Sequence, residues 1–285
     1  MKGIILAAGK GTRLYPMTRP VCKPLLPVYD KPLLYYSVSV LMQAGIREIM
    51  VIVPPGEEPV FQALLGDGTQ WGISIVYAVQ PVPRGIADAM LVGADFIGQD
   101  SVCLVLGDNI FYQEGFSTLL KQVAAECQGA TVFGYYVDDP RPFGVVEFDE
   151  TGKALSIEEK PEHPKSNYII PGLYFYDNQV IDIARNLTPS ARGELEITDV
   201  NLEYLRREQL QVVRLEREFV WLDAGTADSV LEAAETIRDI QRATGRYVGC
   251  IEQCALEGGW ISAEQVHQLG MELEKTQYGQ YLLQL

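Results

Sequence analysis

An α/β architecture is expected of this chain: a mostly parallel, Rossmann-like doubly wound sheet with an inserted β-hairpin region and a small helical C-terminal appendage. Through the first half, apolar runs of strand length alternate with helical segments, the pattern of βαβ units whose helices cover both faces of a parallel sheet. The first run ends in small residues, Ala7-Ala8-Gly9-Lys10-Gly11-Thr12, which is how a buried parallel strand hands its chain to a ligand. Beyond residue 144 the pattern changes to two runs around a turn, so antiparallel pieces join the sheet.

Residues 4–7, 49–53, 73–79, 102–106 and 130–137 are apolar and short enough to be buried strands. Between them, 33–44, 57–65, 86–96 and 116–127 carry helical periodicity. The stretches 145–149 and 154–159 flank Glu150-Thr151-Gly152-Lys153 as a hairpin. A further strand, 168–176, is interrupted by Pro171-Gly172. Helices are expected at 180–187 and 197–207, strands at 212–215 and 219–222, and a long helix at 226–244. From residue 247 the chain reads as short helices. No repeat, low-complexity tract or linker divides it, so residues 1–246 form one α/β unit and 247–285 a helical addition.

The 285 residues are 47% hydrophobic, enough for one large core. No apolar run approaches the ~20 residues of a membrane span. A secretory leader is not expected, because Gly9 to Arg13 interrupt the first apolar run. Five cysteines at 22, 103, 127, 250 and 254 point to reduced thiols and a cytoplasmic setting. Cys250 and Cys254 lie four apart without a further Cys or His nearby, so core packing explains them better than zinc. The formal net charge of −15 argues against nucleic acid and anionic membranes as partners. An acidic protein that binds nucleotides must gather its cations locally and recruit a divalent ion. His163 and His267 stand alone, which disfavours histidine chemistry.

The loop after the first strand reads as a polyphosphate cradle. Gly9 and Gly11 let backbone N–H groups approach an anion, and Arg13 and Lys23 add full charge. It is not a P-loop, because Lys10 precedes Gly11, nor a dinucleotide fingerprint, because Leu14 holds the third glycine's place. Asp108 follows a buried strand, and Asp223 repeats the design in Trp221-Leu222-Asp223-Ala224-Gly225. Either could be a turn cap; together they could share a hard cation such as Mg2+, which takes one or two carboxylates plus phosphate oxygens. Gln80, before Pro81-Val82-Pro83-Arg84-Gly85, offers a donor and an acceptor that complement a pyrimidine imide edge, and Gly85 leaves room for the base. Gly144 permits close approach to a hydroxyl. Glu159 and Lys160 follow the hairpin, and Arg192 sits in a loop; each could equally be a solvated surface charge.

The string Leu6-Ala7-Ala8-Gly9-Lys10-Gly11-Thr12-Arg13-Leu14, with Pro16-Met17-Thr18 and Lys23 before Leu25-Leu26-Pro27, resembles the signature of the sugar-nucleotide pyrophosphorylases, nucleotidyltransferases that join a sugar 1-phosphate to a nucleotide. The likeness runs to about Thr226 and returns at Tyr278-Gly279-Gln280-Tyr281-Leu282, as in the short-form members that convert dTTP and glucose 1-phosphate to dTDP-glucose and pyrophosphate for dTDP-rhamnose or other deoxysugar synthesis. It implies that Asp108 and Asp223 hold Mg2+, with Arg13, Lys23 and Lys160 as catalytic cations. It assigns Leu6, Ala8, Gly9, Gly11, Thr12, Arg13, Lys23, Gln80, Gly85 and Asp108 to the nucleotide, whose side is mainly 1–110. Asn109, Gly144, Glu159, Lys160, Ile170, Tyr174 and Arg192 fall to the sugar phosphate, mainly in 140–226. It also implies a homotetramer, with 247–285 as an oligomer or regulatory contact.

Three departures stand out. Pro24 occupies a position where the family often has a thymine-binding Gln, which leaves UTP use open; Arg84 replaces an often acidic residue, and Phe143 a common Tyr. The implied chemistry is in-line attack of a sugar-phosphate oxygen on the α-phosphorus. Two unit charges ~4 Å apart repel by about 4 kcal/mol at an effective dielectric of ~20, so cations are required. A non-catalytic nucleotide-sugar sensor on the same fold would lack the metal pair or the phosphate cations, and both are present. The missing third glycine argues against an oxidoreductase.

Overall fold

The computed structural model describes residues 1–285. Strand β1 (Lys2–Leu6) lies inside the sheet because Ile4 and Ile5 are both fully buried although they point to opposite faces. Only a sheet covered on both sides can bury such a run. A small ribbon of β2 (Pro27–Val28) and β3 (Lys31–Pro32) follows, then α1 (Leu33–Gln43), β4 (Glu48–Val53), α2 (Glu58–Leu65) and β5 (Ser74–Val79). Next come α3 (Asp88–Val92), α4 (Ala94–Ile97), β6 (Val102–Leu106), β7 (Asn109–Tyr112) and α5 (Phe116–Glu126). Strand β8 (Ala130–Tyr136) precedes the hairpin of β9 (Gly144–Phe148) and β10 (Ala154–Glu159). After β11 (Tyr168–Ile169) and β12 (Leu173–Tyr176) the chain forms α6 (Gln179–Arg185), α7 (Ile197–Arg206), β13 (Leu210–Arg214), β14 (Val220–Asp223) and α8 (Ala227–Thr244). It closes with α9 (Ile251–Glu257), α10 (Ala263–Glu272) and α11 (Gln277–Leu282).

The ten-stranded sheet has the order β10-β9-β11-β8-β12-β6-β1-β4-β5, with β13 running along β8. Strands β1, β4, β5, β6, β8, β9 and β13 share one direction, against β10, β11 and β12. The registers Leu6↔Leu106 and Leu6↔Ile52 end three strands level, so their loops leave one carboxyl edge together. That edge is where open α/β sheets bind ligands.

One apolar layer contains Ile5, Val51 and Val105 with α1, α2, α5 and the C-terminal helices; the other contains Ile4, Ile52 and Leu104 with α3, α6 and α7. A smaller cluster joins Leu14, Ile110 and Ala224 to Ile237 of α8. Thr226 caps α8 by accepting from the Ser229 backbone N–H, while Ser229 caps in return.

Four expectations are refined. The helix over 86–96 is two short helices, α3 and α4. Residues 168–176 form two strands that both pair with β8 but differ in their other neighbour, β9 for β11 and β6 for β12, because Pro171-Gly172 interrupts the run between them. Strand β7, too short and too close to β6 to register as a separate run, was not anticipated. Asp223 does not leave the main sheet, as the repeat of the Asp108 design suggested: β14 pairs only with β7, in a separate ribbon.

Helices α9–α11 share the first core layer through Ile251, Ala255, Val266 and Leu282. Buried polar groups fasten them. The Lys31 ammonium donates to Asp30 at 2.5 Å and to the Val248 carbonyl at 2.9 Å, facing the rings of Tyr36, Tyr247 and Tyr278. Glu252 accepts from Trp71 Nε1 at 3.2 Å and from the Tyr278 hydroxyl, and burial raises its carboxyl above the ordinary range. Tyr278→Phe removes one of these donors to a buried carboxyl. We expect a loss of roughly 1–3 kcal/mol, read as a lower urea midpoint at unchanged m-value.

Candidate active site

A cleft of about 630 Å3 opens at the carboxyl edge of the sheet. Leu6, Gly9, Arg13, Lys23, Asp108, Asn109, Gly144, Glu159, Lys160, Ile170, Tyr174 and Asp223, all singled out in the sequence, line it. Ala8, Gly11 and Thr12 belong to the same loop as Gly9 and Arg13 but are not part of the lining. A Cβ at Gly9 would meet nothing within 4 Å, so this backbone faces open space, whereas Gly11 is needed for its left-handed φ of 58°. The Thr18 hydroxyl donates to the Gly11 carbonyl at 2.6 Å and ties the loop shut.

Strand ends and ribbon together assemble the acidic pair. The Gly107 N–H donates to the Leu6 carbonyl at 3.0 Å, which sets Asp108 beside the glycine loop. The β7–β14 register pairs Asn109 with Asp223, and the Ala224 N–H donates to the Asp108 carbonyl at 3.2 Å. Lys23, on a 3-10 turn over Lys23–Leu25, lies between the two carboxylates: its Nζ is 2.5 Å from Asp108 Oδ2 and 3.8 Å from Asp223 Oδ1. Burial, then the charge of Asp108, raises the Asp223 carboxyl above its usual range, and Lys23 and Arg13 oppose that rise. The ammonium acts as a stand-in cation, which shows that the donor set suits positive charge. No third acidic, His or Cys ligand joins the pair. Two carboxylates without a full protein cage suit Mg2+, which completes its shell with water and phosphate oxygens.

Asn109 is the hinge of this arrangement. Its Oδ1 accepts from Trp221 Nε1 at 2.7 Å and from the Gly172 N–H at 3.1 Å, while Nδ2 donates to Asp108 Oδ1 at 2.9 Å. Three chain segments and the Asp108 carboxylate are thereby fixed by one amide. Trp221 was not singled out, although a period of two puts it on the same face of β14 as Asp223. Its ring packs edge-on against Phe143 and Tyr135 and forms a wall of the cleft.

On the other side, Glu159 Oε2 accepts from Thr198 Oγ1 at 2.5 Å, and its Oε1 lies 3.3 Å from the Arg192 guanidinium and 3.7 Å from Lys160 Nζ. Thr198 and Asn201, three apart on α7, line the cleft and were missed; their helical spacing was the available signal. Lys160 has a positive φ of 45°, unusual for a side-chain-bearing residue and typical of functional turns. Arg192 stands outside the lining and is held at 2.9 Å by Glu196. Burial pushes the Tyr174 phenol above its usual range. Gly85 immediately precedes Ile86, which lines the cleft, whereas Gln80 is buried and neither it nor Gly85 is part of the lining.

The family model for nucleotidyl transferases matches residues 2–240. The chain belongs to the nucleotidyl transferase family. Within it the likeness is to glucose-1-phosphate thymidylyltransferases: it is 56% identical to that of Neisseria meningitidis serogroup A over 285 residues, covering 100% of this chain and 99% of the relative. The Mycolicibacterium smegmatis enzyme is 54% identical, again over 100% and 99%. Among solved structures, a Bacillus anthracis chain provisionally named a glucose-1-phosphate thymidylyltransferase, in complex with a sucrose, superposes with a TM-score of 0.78 at 42% identity, covering 84% of this chain and 96% of that one. A UDP-glucose pyrophosphorylase complexed with UDP-glucose, at 24% identity and TM-score 0.73 over 84% and 98%, shares the fold. No helix is long and apolar enough to cross a membrane.

Replacing Asn109 by Leu removes the acceptor of Trp221 and Gly172 and the donor to Asp108. A stability loss of about 2 kcal/mol or more is expected from the stranded donors. The tryptophan emission should shift as the Trp221 indole N–H loses its partner.

Proposed function

We propose that the chain transfers a thymidylyl group from dTTP to α-D-glucose 1-phosphate, giving dTDP-glucose and pyrophosphate. The reaction class is carried by one observation: two carboxylates from separate segments meet on a single cation beside a glycine loop at the sheet's carboxyl edge. The substrates are supported by the end-to-end likeness to enzymes named glucose-1-phosphate thymidylyltransferase. Nucleotidyl transferases generally work with a divalent metal; here Asp108 and Asp223 would hold Mg2+, which when bound supplies positive charge between the two reacting phosphates.

The chain's own residues do the rest by positioning and charge. The open backbone at Gly9 and the Arg13 side chain receive the β- and γ-phosphates, and Arg13 stabilises the departing pyrophosphate. Lys23 exchanges its carboxylate partners for the α-phosphate. Lys160 holds the sugar phosphate, while Glu159, kept in place by Thr198, accepts from sugar hydroxyls and Arg192 supports it from behind. Gly144, Ile170, Tyr174 and Asn109 shape the sugar side, and Gln80 and Gly85 the base side. An oxygen of the sugar phosphate attacks the α-phosphorus in line and pyrophosphate leaves, with no protein nucleophile. Residues 247–285 are proposed as a contact region of a homotetramer, which light scattering on the purified protein would check.

Pro24, at the cleft wall, supports a second reading in which UTP is also accepted. Pyrophosphate release measured over dTTP and UTP against a panel of sugar 1-phosphates separates the two. Fastest turnover with dTTP and glucose 1-phosphate is expected; preference for another pair would overturn the assignment, and no release with any pair would overturn the reaction class.

Asp108→Asn and Asp223→Asn should each lower kcat by at least about a hundredfold, the scale of a lost transition-state charge contact, with an unchanged circular dichroism spectrum. Undiminished turnover in the double variant would refute the metal assignment. Arg13→Ala should cost at least ~2 kcal/mol in kcat/KM; a loss below about threefold would argue against its role.

A further inference from the structure

Behind the base side of the cleft lies a buried carboxylate that the mechanism does not use. Asp88 is fully buried at the start of α3, with its two oxygens committed differently. Oδ1 accepts from the half-exposed Arg84 guanidinium at 2.7 Å, and Oδ2 accepts from Gln80 Nε2 at 2.8 Å. The backbone around it is clamped. The Leu195 N–H donates to the Arg84 carbonyl at 2.6 Å, and the Ala87 N–H donates to the Leu195 carbonyl at 3.1 Å. At Gly85, with φ 104°, a Cβ would lie 2.4 Å from that same Leu195 oxygen, so only glycine permits the clamp.

A carboxylate is acceptor-only, so it fixes which end of the Gln80 amide faces it. The NH2 end is pinned to Asp88. No protein group donates to Gln80 Oε1, and that oxygen is not completely enclosed, because no fully enclosed side-chain oxygen or nitrogen lacks a partner. Gln80 follows the carboxyl end of β5, and its N–H donates to the Val53 carbonyl at 3.0 Å, which roots it at the ligand edge.

We infer that Asp88, held by Arg84, is a specificity-determining positioning residue: it locks the Gln80 amide in the flip that presents an acceptor to the base and so selects pyrimidines bearing an imide N3–H over cytosine. This rests on the proposal that Gln80 faces the base. Thymine and uracil donate from N3, whereas cytosine presents a lone pair there and would meet Oε1 lone pair to lone pair. An unpinned amide could accommodate cytosine by turning over; the Asp88 carboxylate opposes that turn, because it would set two acceptors against each other.

Asp88→Asn reverses the logic without changing shape. Arg84 has only donors, so it takes the new carbonyl oxygen and leaves the Asn NH2 facing Gln80, which favours the turned amide. The test measures kcat/KM for dTTP, UTP and dCTP in the wild type, Asp88→Asn, Arg84→Ala and Gln80→Leu. The dCTP/dTTP ratio should rise at least tenfold in Asp88→Asn, mostly through the nucleotide KM, with the glucose 1-phosphate KM within twofold of wild type. Arg84→Ala, a change at an exposed side chain that spares the core, should raise the ratio about threefold and serves if Asp88→Asn folds poorly. Equal losses for dTTP and dCTP in both variants would reduce Asp88 to a structural role and overturn the inference. Gln80→Leu separates the layers. A shifted ratio there with no shift in the Asp88 and Arg84 variants rejects the lock but keeps the base contact, and an unshifted ratio in Gln80→Leu rejects the base contact and the lock with it.

Discussion

The structure is organised around a problem of like charge. Asp108 and Asp223 are brought close together in a partly buried cleft, where two carboxylates repel each other and each is poorly solvated. Such a pair survives folding only if a cation neutralises it, and Lys23 takes that place, within 4 Å of both. The same demand suits the site to a divalent ion flanked by phosphates. In the proposed reaction a bound ion would release Lys23 from its carboxylates and leave it free to meet an incoming phosphate. One small set of ionic contacts thus neutralises the resting site and, in the proposed reaction, gathers the charge it needs.

That set is held by unusually economical means. The Asn109 amide meets Asp108, Trp221 and Gly172, and each partner belongs to a different piece of chain. Thr198 and Arg192 hold Glu159, and Asp88, itself bound by Arg84, holds Gln80. In each case a side chain is oriented by a neighbour of complementary hydrogen-bonding type. A doubly covered sheet makes such orientation durable, because its strands are buried on both faces and cannot slide without moving whole apolar residues into the wrong layer.

Much was legible from residues alone because hydrophobic periodicity and turn chemistry are local. The alternation of strands and helices, the glycine loop after residues 4–7 and the hairpin after 144 each announce themselves within about ten residues. Harder to see were features whose cause lies far off in the chain. Strand β7 is brief and half polar, and exists because β14 returns to pair with it over a hundred residues later. Thr198, Asn201 and Trp221 look like ordinary helix and strand residues until packing aims them at the cleft. Arg84 and Asp88, four apart, could be read as a surface ion pair; burial of Asp88 and its bond to Gln80 are facts of the fold.

From the sequence by itself came the architecture, the ligand edge and the chemical types available there: a glycine loop, a few cations in an acidic protein, and two aspartates closing apolar strands. Only the tertiary structure decided which of these groups meet. It placed Asp223 on a separate ribbon beside Asp108, put Lys23 between them, and set Arg192 between Glu196 and Glu159, behind the cleft lining. The reason is that chain composition specifies how each segment folds on its neighbours, whereas the meeting of charges from distant segments is set by strand register and core packing, which no local pattern encodes.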